Sequence, residues 1–203
     1  MKNFILVFSL VFCSLYGFSQ ETATFTDPRD GKVYKTVKIG NQTWFAENLA
    51  YKLNTPAFLS NNRDSSAVTK FGYFYTWEEA KQVAPPGWHL PGKEELDVLY
   101  TTLGDNHKKV FIAMIEGGSS GFNALYGGVL QTDENHGIIA GVLSTLSPLS
   151  GENTLTGFWS STKHWDGPWV ILVHAPTSIT KGLANVIATR DAYGLRVRLI
   201  KNN

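Results

Sequence analysis

Apolar and polar positions alternate through residues 32–39, KVYKTVKI. Val33, Val37 and Ile39 fall on one face, and Tyr34, Thr36 and Lys38 on the other. Period two with β-branched residues predicts a half-buried strand. Gly40-Asn41 follows, a two-residue loop of the kind hairpins favour, and residues 42–49 (QTWFAENL) form the return strand. Residues 20–26 are a polar lead-in, DPRDG at 27–31 is a turn cluster, and residues 52–70 read as an irregular excursion.

The period then lengthens. A short helix is expected over 77–84, stopped by Pro85-Pro86. A second runs from about Lys93 to Leu103, where Leu96, Leu99, Tyr100 and Leu103 form one stripe at i, i+3, i+4, i+7 and Gly104 ends it. A weaker helical segment covers 106–115. GGSSG at 117–121 reads as a flexible connector, and glycine-punctuated strands follow at 121–130, 156–162, 168–176 and 193–201. In the last, Leu195, Val197 and Leu199 lie on one side, with Arg196, Arg198 and Lys201 mostly on the other. Strand hairpin, helices, then strands with long loops define an α+β domain: mostly antiparallel short strands with two main helices.

Residues 87–96, GWHLPGKEEL, link the two helices. Pro91 holds Leu90 extended, Gly92 takes the N-cap position, and Glu94 and Glu95 sit where a helix's positive end favours carboxylates. Helix entry accounts for every residue except His89. That histidine is either a catalytic base or a ring with both nitrogens satisfied at the edge of the core.

Composition narrows the function. Residues 1–19 have Lys2, an apolar run over 4–12 and small residues at Gly17 and Ser19, the pattern of a cleaved secretory signal. The expected protein is one exported domain, residues 20–203, with no membrane span. Cys13 is the only cysteine and lies in that leader, so the mature chain has neither disulfide nor thiolate. The 18 basic residues against 17 acidic, with no basic stripe, argue against nucleic acid.

No catalytic or metal motif stands out. The five histidines are scattered, and neither H-E-x-x-H nor G-x-S-x-G is present. We therefore expect no catalytic residues, no metal and no cofactor. Glu47-Asn48 reads either as a ligand contact or as a polar pair satisfying backbone groups. The remaining candidate is aromatic: STKHWDGPWV places Trp165 at a polar loop tip, where its face could take a sugar ring while His164 and Asp166 orient hydroxyls. The alternative is that Trp165 folds back over the sheet.

The stretches DGKVYKTVKIGNQTWFAENLAY (30–51), GYFYTWEEAKQVAPPGWHLPGKEELDVLYTTLG (72–104), GFNALYGG (121–128), FWSST (158–162) and YGLRVRLIK (193–201) resemble the Fibrobacter succinogenes major paralogous domain. More distantly, HLP, EEL, WSST and the terminal strand are similar to C-type-lectin-like domains. The resemblance implies a looped α+β fold whose N- and C-terminal strands pair, with two helices packed on the sheet. It implies export but no particular reaction. The family often has cysteines where this chain has Ala84 and Leu199, which the resemblance places opposite each other. The paired loop of calcium-dependent sugar binding is absent. The expected function is a non-catalytic module binding a glycan or a cell-surface protein; the alternatives are a structural component of the cell envelope and a polysaccharide-active enzyme.

Overall fold

The computed structural model describes residues 20–54, 65–131, 149–176, 182–189 and 193–202. Residues 1–19, the expected leader, lie outside them. Two sheets and four helices make up the described chain, an α+β architecture with mostly antiparallel strands.

The first sheet contains β1 (Thr22–Thr26), β2 (Val33–Ile39), β3 (Gln42–Phe45), β4 (Trp88–His89) and β11 (Ile200–Lys201). Its order is β1-β2-β3-β11-β4, antiparallel throughout. Ile39 pairs with Gln42 across Gly40-Asn41, and Gly40 has φ of +59°. Positive φ at the first central residue is what a glycine-led hairpin turn requires. The return strand is shorter than expected because the chain bends after Phe45: the Leu49 amide donates to the Val197 carbonyl instead of continuing the ladder. The C-terminal strand β11 joins the sheet that β1 begins, but it pairs with β3 and β4 rather than with the first strand.

The second sheet contains β5 (Gly127–Gln131), β6 (Leu149–Glu152), β7 (Leu155–His164), β8 (Gly167–His174), β9 (Leu183–Ala188) and β10 (Tyr193–Gly194). Its order is β10-β5-β7-β8-β9, with β6 on β5; only the β5–β7 contact is parallel. Residues 195–199 stitch the two sheets together. On one side Arg196 N donates to Gly157 O and Trp159 N to Arg196 O. On the other, Phe45 N donates to Leu199 O and Leu49 N to Val197 O.

The sheets are covered on both faces. Tyr34, Phe45, Trp159, Val170, Leu172 and Leu199 belong to one buried cluster. Their chain neighbours or near neighbours Val37, Trp44, Phe158, Ile171, Val173 and Ile200 belong to the other. The unbroken apolar run of β8 follows from this, since a strand buried on both sides has no polar face to alternate. In β2 the expected split is revised: Tyr34 and Thr36 are buried on one side, Val37 and Ile39 on the other, and Val33 is exposed. Leu199 is fully buried in the first cluster, and Ala84 packs partly buried against that same cluster.

Helix α2 (Trp77–Ala80) sends Trp77 and Ala80 into the first cluster. Thr76 and Glu79 cap it reciprocally, and it ends earlier than expected. Helices α3 (Lys93–Thr102) and α4 (His107–Met114) cover the second cluster with Leu96, Leu99, Val110, Phe111 and Met114. Tyr100 and Leu103, the other members of the α3 stripe, pack partly buried on it. The α3 stop is a Schellman closure, with Gly104 N bonding Thr101 O and Asp105 N bonding Tyr100 O.

Three expectations are corrected. Part of the supposed irregular excursion is α1 (Ser65–Phe71), whose serines and β-branched residues give weak helix propensity and no clear stripe. Gly72 closes it at φ +70°, where a Cβ would lie 2.5 Å from the Leu49 carbonyl oxygen. The polar lead-in contains strand β1, a threonine-rich edge whose Phe25 ring packs against Phe45 and Trp88. GGSSG is a built turn rather than a loose connector: buried Ser120 donates to Ala113 O and accepts from Phe122 N.

Candidate functional site

The signature stretches converge on backbone groups. The Trp159 indole donates to Tyr75 O at 2.7 Å, and the Trp77 indole to Ser160 O at 2.8 Å. The Ser160 hydroxyl accepts from Thr162 N, and the Thr162 hydroxyl accepts from Lys93 N, the first amide of α3. Pro91 O takes Ser161 N, and the Glu95 carboxylate reaches back to Gly92 N at 2.7 Å. WSST and HLPGKEE are therefore two halves of one corner, each supplying acceptors for amides the other exposes.

His89 completes that corner. Its Nε2 lies 2.9 Å from Glu95 Oε1, and its Nδ1 2.7 Å from Asn202 Oδ1. Both ring nitrogens have partners. The Glu47-Asn48 pair is committed in the same way: Glu47 Oε2 accepts from Lys35 N, Asn48 Nδ2 donates to Phe71 O, and Asn48 Oδ1 accepts from Arg198 Nε.

The two arginines of the last segment are the largest departure from the sequence reading. Arg196 and Arg198 are each 1% exposed. Arg196 donates to Gly72 O and Gly127 O, with its guanidinium 3.5 Å from the centre of the Phe74 ring. Arg198 donates to Asn48 Oδ1 (2.6 Å), Phe45 O (3.0 Å), Phe122 O (2.5 Å) and Asn123 O (2.8 Å), and lies over Phe122. Burial draws its pKa down to about 9, with Glu47 pulling the other way, so it is charged at neutral pH. Carbonyl dipoles and aromatic faces hold this cation in place of a bonded carboxylate. Alternation with Leu195, Val197 and Leu199 marked these arginines as the second side of a strand; period two alone does not reveal that this side is buried as well.

The proposed ligand residues sit together at the β7–β8 tip. His164 pairs with Gly167, leaving Trp165 and Asp166 as the two loop residues. Trp165 is 84% exposed, whereas Trp44, Trp77, Trp88 and Trp159 are buried. The His164 ring bridges Trp165 and Trp169, with its centroid 5.2 Å from each. Lys93 Nζ lies 4.8 Å from the Trp169 ring centre, and Asp166 N donates to His164 Nδ1 at 3.4 Å. The result is a surface strip of three rings. A register shift in β7 between Trp159 and Lys163 sets its twist.

An open cleft of about 440 Å³ lies elsewhere, between α1, the β2–β3 hairpin and the segment after α4. Among the described residues no group of three or more His, Cys, Asp or Glu side chains is arranged to hold a metal ion, and no helix is long and apolar enough to cross a membrane.

A two-sheet α+β domain pinned by its terminal segment, with its signature stretches spent on corners, defines the class of protein. The chain belongs to the Fibrobacter succinogenes major domain family, which matches residues 37–201. No curated protein and no solved structure matches it.

Proposed function

We propose that the protein is an exported, non-catalytic binding module with a C-type-lectin-like fold, and that it takes a glycan through the Trp165 strip. One observation carries the reading: Trp165 stands 84% exposed on a tight hairpin tip while four other tryptophans are buried. Burying such a ring is worth about 1.5–3 kcal/mol, a gain the monomer forgoes here and a stacked sugar ring could recover. His164 and Trp169 fix the height of the platform, and Asp166 offers carboxylate acceptors beside it.

A structural role in the cell envelope is the second reading, favoured by the consumption of the signature residues in backbone bonds. A glycan array run with wild type and Trp165→Ala separates the two. Specific binding by wild type that disappears in the variant supports the binding module. An unchanged pattern in the variant overturns the role of the strip, and a silent wild type overturns glycan binding in favour of the envelope role.

A further inference from the structure

The cleft between α1 and the first hairpin has an unusual charge arrangement. Lys32, Lys35, Lys70 and Arg198 line it. None of these cations is ion-paired with a carboxylate among the described residues, whereas Arg29, Lys38, Lys81 and Lys93 each have an acidic partner within 3.1 Å. Lys32 and Lys70 instead lean over the Tyr34 and Phe71 rings, at 5.6 and 5.0 Å. Burial pulls the Lys32 pKa down, offset in part by Asp30 and Glu47, as for an ammonium short of water. Two carboxylates, Glu47 and Glu116, share the lining, so four cations face two anions. One Glu47 oxygen is already taken by the Lys35 amide.

Arg198 forms the buried wall. A guanidinium has five N–H donors, and four of them reach Asn48, Phe45, Phe122 and Asn123. The fifth, on Nη2, has no acceptor among the described residues. The Asn48 and Asn123 amides border the same space. Its volume, about 440 Å³, is within the roughly 300–1,000 Å³ of small-molecule clefts.

We propose that this cleft is a second binding site, taking a hydroxylated carboxylate of the sugar-acid class. The carboxylate meets the lysines, which have no acidic partner among the described residues, and the Asn123 amide nitrogen donates to a hydroxyl. The Glu47 and Glu116 carboxylates in the lining can accept from hydroxyls, which a sugar acid carries and a phosphate dianion does not. The site shares no residue with the Trp165 strip and does not depend on it.

Calorimetric titration of the full chain with glucuronate, glucose and inorganic phosphate tests this. Glucuronate is expected to bind measurably better than glucose and phosphate, and to weaken as salt rises. Lys32→Gln and Lys70→Gln each weaken glucuronate about fivefold, the loss of one exposed ion pair. Glu116→Gln strengthens it, by removing a like charge. All three side chains are at least partly exposed, so the variants keep the fold. Lys81→Gln, outside the cleft and already paired with Glu78, leaves the titration unchanged. Equal binding of glucose, tighter binding of phosphate, or lysine variants that titrate like wild type would each overturn the proposal.

Discussion

Arg198 Nε donates to Asn48 Oδ1 across 2.6 Å, joining the penultimate segment of the chain to the end of the first hairpin. The Asn48 amide nitrogen carries the link on to Phe71 O, at the end of α1. One buried cation thus ties three distant pieces of sequence, and its remaining bonds reach the Phe45, Phe122 and Asn123 carbonyls.

Asn48→Ala should accordingly destabilise by about 2–3 kcal/mol, because it removes a bond to a charged donor and orphans a carbonyl. Arg198→Lys should cost about 3–5 kcal/mol, since three ammonium donors on one atom cannot span four acceptors set for a fork. Urea unfolding gives both values. A loss under 1 kcal/mol in both variants would show that the node does not hold the fold.

Tryptophans divide by role. Trp159 is fully buried and its indole caps Tyr75 O, so Trp159→Ala should cost about 3–5 kcal/mol. Trp165→Ala removes a ring already in water and should change stability by less than about 0.5 kcal/mol. Thermal melts of the two variants beside wild type check the contrast.

Much of this was legible in period and punctuation. The hairpin around Gly40-Asn41, the α3 stripe closed at Gly104, and the GWHLP corner each follow from local chemistry, and the structure places them where that chemistry puts them. Tertiary context decides the rest. Strand β1 exists because β2 offers it an edge, and α1 because Gly72 and Asn48 close it against the hairpin. Burial of Arg196 and Arg198 depends on carbonyls more than a hundred residues away for some of their bonds, which no window of sequence displays. At the candidate site, the hairpin tip was readable from HWDG; the ring bridge from His164 to Trp169 needed the β7–β8 register.

Acid should act on two groups. Burial pushes the Asp27 carboxyl up, but the hydrogen bonds and charge of Arg29 outweigh it, leaving its pKa below the usual 3.8. The folded pKa is depressed, so this stabilisation is present above about pH 4 and is lost as pH falls through the folded value. Burial lowers the His174 pKa below 6.5, so the unfolded chain takes up that proton first and stability declines as pH falls below about 6.5. His174→Gln should flatten the slope below about pH 6.5, and Asp27→Asn the slope below about pH 4. Denaturant midpoints across pH measure both. Unaltered slopes would contradict these assignments.

The central proposal divides labour between two imidazole-bearing regions: His89 holds a corner through Glu95 and Asn202, and the His164–Trp165 tip, where the two rings lie together, is proposed to meet the ligand. Its most direct test compares His89→Gln with Trp165→Ala, each measured for unfolding free energy and for binding to whichever glycan the wild type selects. The account expects His89→Gln to lose about 1 kcal/mol and bind as wild type does, while Trp165→Ala keeps its stability and loses binding. A folded, stable His89→Gln that no longer binds, beside a Trp165→Ala that still does, would contradict it.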